Sequence, residues 1–438
     1  MRYVSIIVLV FAFAAHSWCA DEKAFTLRQC IDYALEHSPT LAKQRLTVHN
    51  QELQTIIEEA RFAFMLTAGE TRSVHAKTDQ ANVRLSKEFS YGFSVASWMN
   101  ATREDGKGVT SNYFAVQISK TLLGGGSRLA ATYGWKASML NELEELNTFN
   151  RLERKLIQDI RIAYYEVILA QQSLLVRQRA LENAKRTLQT TREREKPLDI
   201  LTAEVKVPEY ELSVNTARRT IRNGLDSLKE LMGMPLDAPF QIQGEFDFKV
   251  KERNLEEDLQ FARANLETFL NNRLEKQKLE WQLEVYDERT LPNVSVSATH
   301  YKYLDGAPNA GSEEQQFSIN LSWELGRRSD KARLEMQRNR LEINQHDYFI
   351  LDQSLTNSLT SYHRRLLESA AAVELQEKLC EVQRRKAELY KDKWENGEID
   401  ILEVVRTQSD LEDALVALIN KKISYLELLA NYEYTMGK

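Results

Sequence analysis

Two stretches of this chain, Trp135 to Lys196 and Arg327 to Asn396, contain no glycine and no proline and are dense in Leu, Ala, Glu, Lys, Gln and Arg. Those residue types favour helix and nothing in either stretch breaks it, so each predicts one exceptionally long helix. In the first, Leu152, Leu156, Ile160, Ala163, Val167, Ala170, Leu174, Leu181, Ala184 and Leu188 recur at steps of three, four or seven, the apolar seam of a coiled coil. Counted from Ser127 to Glu195 at about 1.5 Å per residue, the rod is on the order of 100 Å long. That is the span of a compartment rather than of a domain. The 28% of charged residues, with only 7 Pro and 16 Gly, fits long solvated helices better than compact cores. A net charge of -6 gives no basic footprint for nucleic acid.

Each long stretch ends at a breaker and is followed by a second helical pattern. Lys196-Pro197 leads into Leu198 to Met232, and Asn396-Gly397 leads into Ile399 to Met436, so each reads as a hairpin of helices. The two hairpins correspond. Leu198-Asp199-Ile200-Leu201 matches Ile399-Asp400-Ile401-Leu402, Met232-Gly233 matches Met436-Gly437, and Leu123-Gly124 with Ser127 and Ala130 matches Leu325-Gly326 with Ser329 and Ala332. Three landmarks in one order argue for an internal duplication. The expected division is a signal segment over residues 1–19, a first repeat over 20–235, a linker over 236–253 and a second repeat over 254–438. Leu27 to Leu41 and Leu255 to Leu266 both read as amphipathic helical openings of the repeats, although that match is weak.

Strand-like alternation precedes each long helix. Phe317, Ile319, Leu321, Trp323 and Leu325 alternate with Ser318, Asn320, Ser322 and Glu324, and Phe114, Val116 and Ile118 alternate with Ala115, Gln117, Ser119 and Thr121. Asn293 to Thr299 repeats the pattern, and Leu85 to Val95 does so less cleanly. One such strand alone reads as half-buried on a soluble core. Strands that introduce solvent-loving rods have little else to pack against, whereas lipid on one face and water on the other suits them.

The amino terminus places Met1-Arg2 before an apolar run from Tyr3 to Ala15 and a cluster of small residues, the pattern of a secretory signal cut after Ser17 or Cys19. Trp18 before Cys19 disfavours a lipid-carrying cysteine. Cys30 and Cys380 remain, and the favoured reading leaves them unpaired. After the signal no run approaches the roughly 20 apolar residues of a membrane helix, so insertion must use strands. Helical hairpins on one side of a membrane require an even number of crossings. The second half offers two, Asn293 to Tyr303 and Gln315 to Leu325. The first half shows three candidates, of which Val83 to Trp98 either turns back near Tyr91-Gly92 or, the favoured reading, extends outside without crossing. Four crossings fall short of the roughly eight strands of the smallest barrels, and an open edge cannot face lipid, so several copies must close one barrel.

These features together resemble the TolC-like outer-membrane efflux protein family over essentially the whole mature chain. Leu27, Ile31, Ala34, Leu35 and Ser38-Pro39 look like its amino-terminal helix, and Leu122-Leu123-Gly124-Gly125 and Glu324-Leu325-Gly326-Arg327 look like its strand-to-helix joints. The resemblance implies a fold that is mainly α with membrane β, with duplicated coiled-coil hairpins and a homotrimeric, 12-stranded barrel of four strands per chain above an α-barrel tunnel. It also implies an outer-membrane channel extending into the periplasm, a passive conduit of a tripartite efflux or type I secretion system, docked to a periplasmic adaptor and an inner-membrane pump. Phe64-Met65 lacks the proline that commonly introduces the first strand, and Lys196-Pro197 stands where a glycine is usual.

The tips carry the candidate site. Asp400 and Glu403 lie three apart and project from one helix face. By resemblance they fall on the family's acidic constriction pair, with Asp199 at the equivalent place in the first hairpin, so all three are expected at a periplasmic gate. A ring of carboxylates attracts cations and repels anions. The same side chains serve equally as helix-start residues complementing the dipole. Lys196, Pro197, Leu198, Asn396, Gly397, Glu398 and Ile399 are the expected adaptor contacts, or ordinary turn residues. No cofactor is expected. The histidines show no metal-binding spacing, and Gly124-Gly125-Gly126-Ser127 lacks the Gly-Lys-Ser/Thr of a phosphate loop, so an enzyme is not expected. A periplasmic adaptor would show one hairpin between β domains. A secreted structural coiled coil would leave Phe317 to Leu325 unexplained.

Overall fold

The computed structural model describes residues 24–73, 75, 77–193, 197–244, 248–306, 308–324 and 326–438. The expected signal segment, Cys19, the mature start near Ala20, Lys196 and Leu325 lie outside the described residues.

The long stretches form α3 (Arg128–Glu193, 66 residues) and α7 (Arg328–Glu395, 68 residues). Their returning partners are α4 (Pro197–Met232) and α8 (Ile401–Met436), each of 36 residues. Shorter helices open each half: α1 (Leu27–His37) and α2 (Pro39–Glu59), then α5 (Leu255–Asn265) and α6 (Glu267–Arg289). Each pair is broken by one extended residue, Ser38 (φ -62°, ψ 121°) and Leu266 (φ -69°, ψ 129°). At Ser38 the following Pro39 excludes the helical conformation, while Leu266 breaks without one. Three helices end alike. Gly233, Gly397 and Gly437 adopt positive φ, and the amides at 234, 398 and 438 reach back to the carbonyls of Lys229, Lys393 and Glu433. This is the left-handed glycine closure of a helix, and it stops each chain segment at a defined residue.

The chain forms two compact units, and each draws on both halves of the sequence. The first comprises Met1–Ser38, Leu156–Lys251 and Leu366–Ala430. Its main core gathers Cys30 and Ala34 of α1, Ile160, Ala163, Tyr164 and Val167 of α3, Leu228 and Met232 of α4, and Phe240 and Ile242. Short strands β1 (Ala24–Phe25) and β6 (Gln241–Ile242) pair in parallel beside it, and the Tyr164 hydroxyl donates to the Gln243 carbonyl at 2.8 Å. Gly224 sets the α3–α4 distance, because a Cβ there would meet Val167 Cγ2 at 2.7 Å. Cys30 and Cys380 are both buried and free, and burial pushes the Cys30 thiol up to about 12.

The second unit comprises Pro39–Lys155, Glu252–Arg365 and Asn431–Lys438. It holds one antiparallel sheet of six strands: β2 (Phe64–Ser73), β3 (Thr78–Glu88), β4 (Phe93–Glu104), β5 (Gly108–Leu123), β7 (Asn293–Tyr303) and β8 (Glu313–Ser322), in the order β2-β3-β4-β5-β7-β8. β7 occupies the expected span, and β8 begins and ends earlier than expected. The sheet has six strands, against four expected crossings and one further segment, Val83 to Trp98. Val83 to Trp98 turns back at Phe89–Gly92, the alternative the sequence left open, and supplies just over half of β3 and the first half of β4. That turn is held at the β5–α3 joint. Gly92 has φ 78°, and a Cβ on it would lie 2.9 Å from the Gly126 carbonyl oxygen. Gly126 is tighter still, since its Cβ would sit 2.1 Å from the Thr121 carbonyl oxygen. Ser127 then caps α3 by accepting the Ala130 amide at 3.0 Å.

Candidate functional site

Two features stand out: the tips of the helical hairpins in the first unit and the faces of the sheet in the second.

At the tips, Asp199 of α4 and Asp400 before α8 line one cavity of about 150 Å³, together with Thr191, Trp394 and Glu398. The cavity exists because both hairpins turn beside it. Pro197 starts α4 with its φ already suited to a first helical turn, and Gly397 closes α7 at φ 79°. Trp394 is 5% exposed and packs with Ile401, Val404 and Val405, which fixes the Asn396–Asp400 turn onto α8. Among the described residues the Asp199 and Asp400 carboxylates have no hydrogen-bond or ion-pair partner, although Asp199 lies in the first turn of α4. Glu403 lies in the first turn of α8, half-buried, and is not among the cavity residues. The structure thus brings Asp199 and Asp400 together within one chain and leaves Glu403 one turn further on. Pro197, Leu198, Asn396, Gly397 and Glu398 are exposed, and Ile399 is half-buried. Thr191 and Trp394 were not singled out from the sequence. An indole three residues before a closing glycine was the available signal.

The sheet has two chemically distinct faces. Pairing places Phe317 beside Ala298, Ile118 beside Ala298, and Ile118 beside Val95 on one face. The large apolar residues of that face are exposed in the single chain, with Phe317 at 78% and Ile319 at 77%. The opposite face carries Asn82, Arg84, Asn100, Gln117, Thr299, Ser318 and Asn320, with the rings of Trp98, Tyr113, Tyr301 and Tyr303 clustered among them. The apolar face has no protein partner among the described residues, and the polar face has the hydrogen-bonding groups of a wet surface. Strands β2 and β8 form the two edges, unpaired on their outer sides. No helix among the described residues is long and apolar enough to cross a membrane. Nor do three His, Cys, Asp or Glu side chains among them gather as a metal-binding group.

An antiparallel sheet greasy on its outer face, joined directly to helical hairpins of this length, defines the class: this is the fold of outer-membrane channel proteins. The open-state MtrE outer-membrane channel of Neisseria gonorrhoeae superposes with a TM-score of 0.68 at 15% identity, covering 94% of this chain and 88% of that one. The outer-membrane protein VceC of Vibrio cholerae gives 0.68 at 14% identity over 94% and 96% of the two chains, and the transmembrane channel CusC gives 0.69 at 12% over 94% and 91%. No curated protein sequence matches the chain. Residues 259–433 match the sequence profile of the family described as outer membrane efflux protein. By that match the second half of the chain is similar to the outer membrane efflux protein family, and the chain as a whole has the fold of these solved outer-membrane channels.

Proposed function

We propose that this protein is the outer-membrane subunit of a tripartite efflux or type I secretion system, a passive conduit from the periplasm to the exterior. The observation that carries the reading is the two-faced sheet with both edges free. An unpaired edge in lipid leaves a row of backbone groups without hydrogen bonds, at several kcal/mol each, so one chain alone has no stable place in the bilayer. Strand β2 leads away from the helices and β8 returns to them, so the outer edge of one copy meets that of the next in antiparallel sense and head-to-tail copies close a ring. The family resemblance supports three copies. It equally supports a homotrimeric tunnel of the helical hairpins and docking of their tips onto a periplasmic adaptor coupled to an inner-membrane pump.

In this reading Asp199, Asp400 and Glu403 form the periplasmic gate. Repeated in three chains, the carboxylates of a narrow entrance attract cations, repel anions and accept a bridging divalent cation without turnover. The exposed side chains of Leu198 (76%) and Leu402 (61%) supply an apolar surface at the tips for an adaptor, alongside Lys196, Pro197, Asn396, Gly397, Glu398 and Ile399.

The test combines location and gating. The protein is expected in the outer-membrane fraction as a heat-modifiable trimer, and the double variant D400A/E403A is expected to conduct more and to lose divalent block in planar bilayers. A soluble, monomeric chain refutes the channel reading; an inserted channel whose conductance and block are unchanged by the variant removes the gate.

A further inference from the structure

We propose that all six strands of each chain span the membrane, so that the trimer closes an 18-stranded barrel, wider than the 12-stranded barrel of the family resemblance. This inference rests on the channel reading above and concerns the β3–β4 hairpin, the segment by which this chain exceeds four strands.

Three observations carry it. First, β3 and β4 have the same two faces as the other strands. Leu85, Val83 and Ala81 of β3 fall on the face of Ile118 and Phe317, as do Val95 and Met99 of β4, while Arg84, Asn82 and Asn100 fall on the polar face. A hairpin standing in water has no reason to keep an exposed apolar face; Val83 is 44% and Met99 46% exposed in the chain.

Second, the apolar band is displaced along the strands from β8 to β3 and does not stop at β5. Its centre is Ile319 on β8, paired with Val296 of β7; on β3 it is Val83, in the cross-strand row that runs through Met99 and Phe114 to Lys302 of β7. From Val296 to Lys302 the band has moved six residues over four strand steps. That is about 20 Å along the strands against about 19 Å across them, a tilt of about 45°. Strands of membrane barrels tilt by roughly 35–45°, and a level bilayer produces this drift in any strand it contains.

Third, the ends agree. The Phe89–Gly92 turn is packed against the strand-to-helix joint at Gly126, so β3 and β4 run the height of the sheet from that joint to its far loops. The band on β3 is bounded by Lys87 and Asp79, about 27 Å apart along the strand and about 19 Å along the normal at this tilt, which places both charged ends near the edges of an apolar band about 25 Å tall.

The functional consequence is a wide membrane pore. At a strand spacing of about 4.8 Å and this tilt, eighteen strands give a backbone diameter of roughly 38 Å, against roughly 25 Å for twelve. Barrels of 16–18 strands leave an aqueous channel. Size selection then belongs to the periplasmic tips, and the membrane segment passes any cargo the tips admit.

The experiment uses the full-length oligomer with single cysteines carrying an environment-sensitive dye, in bilayers containing bromine-labelled acyl chains. Cys30 and Cys380 are buried and leave the introduced thiol as the reactive one. The control is I319C on β8. Lipid quenching of about twofold or more is expected at I319C, V83C and M99C, and none at N82C or N100C, with native mass spectrometry giving three copies. Quenching at I319C without quenching at V83C and M99C overturns the 18-stranded barrel and leaves the channel reading standing. Two copies per oligomer overturn it as well, since they close twelve strands. Absence of quenching at I319C overturns the channel reading itself.

Discussion

Trp98 of β4 and Tyr301 of β7 meet edge to face, ring centroids 6.3 Å apart, across Ala115 of β5, which pairs with both and is fully buried beneath them. A small residue on the central strand lets two aromatic rings from its neighbours touch, and Arg84 of β3 lies over the Trp98 ring at 5.2 Å. Four strands are tied together on the polar face by that one arrangement.

Ala115→Leu forces a branched side chain into this contact. The expected cost is about 1–3 kcal/mol, seen as a lower heat-modification temperature of the oligomer. The comparison is Phe114→Leu on the apolar face, which is expected to leave that temperature nearly unchanged.

The tip depends on Trp394. Truncating a buried indole to Ala removes about 3–5 kcal/mol of packing, here concentrated on the turn that carries Asp400. Trp394→Ala is expected to raise single-channel conductance while outer-membrane insertion stays normal. Conductance equal to wild type shows that the turn does not set the opening.

Arg154 and Glu267 form a buried ion pair in the second unit, exposed by 17% and 9%. Glu267→Gln strands the guanidinium charge and is expected to cost about 3–5 kcal/mol in denaturant unfolding. The paired replacement R154M/E267M is expected to recover most of that loss, because both desolvated charges go together.

Glu412 gives a pH dependence. Burial pushes its carboxyl above the usual range; the Arg177 charge opposes this and Asp413 adds to it. The neighbouring Tyr210 phenol is pushed up to about 12 by burial and by Glu412. A carboxyl held above its unfolded value binds its proton more tightly in the native state, so its contribution is fully present below the unfolded pKa and is lost as pH rises through the folded one. Glu412→Gln is therefore expected to raise the unfolding temperature near neutral pH and to flatten its fall between the usual carboxylate range and neutrality. Parallel curves for variant and wild type contradict this.

Much of the helical architecture was legible because it depends on local chemistry. Gly/Pro-free stretches specify α3 and α7, and the Gly397 and Gly437 closures stand at residues the sequence marks as breakers. Ile160, Ala163, Val167 and Ala184 of the heptad seam are buried as expected. The β3–β4 hairpin was legible only as the alternative not favoured. Lys87 and Ser97 interrupt its apolar face, and Ala96 and Trp98 sit on its polar one, so its alternation is blurred where the cross-strand partners decide the matter. The tip was half legible. The equivalence of Asp199 and Asp400 follows from the repeat, but their sharing of one cavity depends on the packing of Trp394, and periodicity says nothing of that.

A continuous water path through a membrane carries current, and current measures it directly. The purified wild-type oligomer added to one side of a planar bilayer is expected to insert in discrete, cation-selective conductance steps that a divalent cation on the hairpin side reduces. A bilayer that stays silent with oligomer demonstrably inserted contradicts the account.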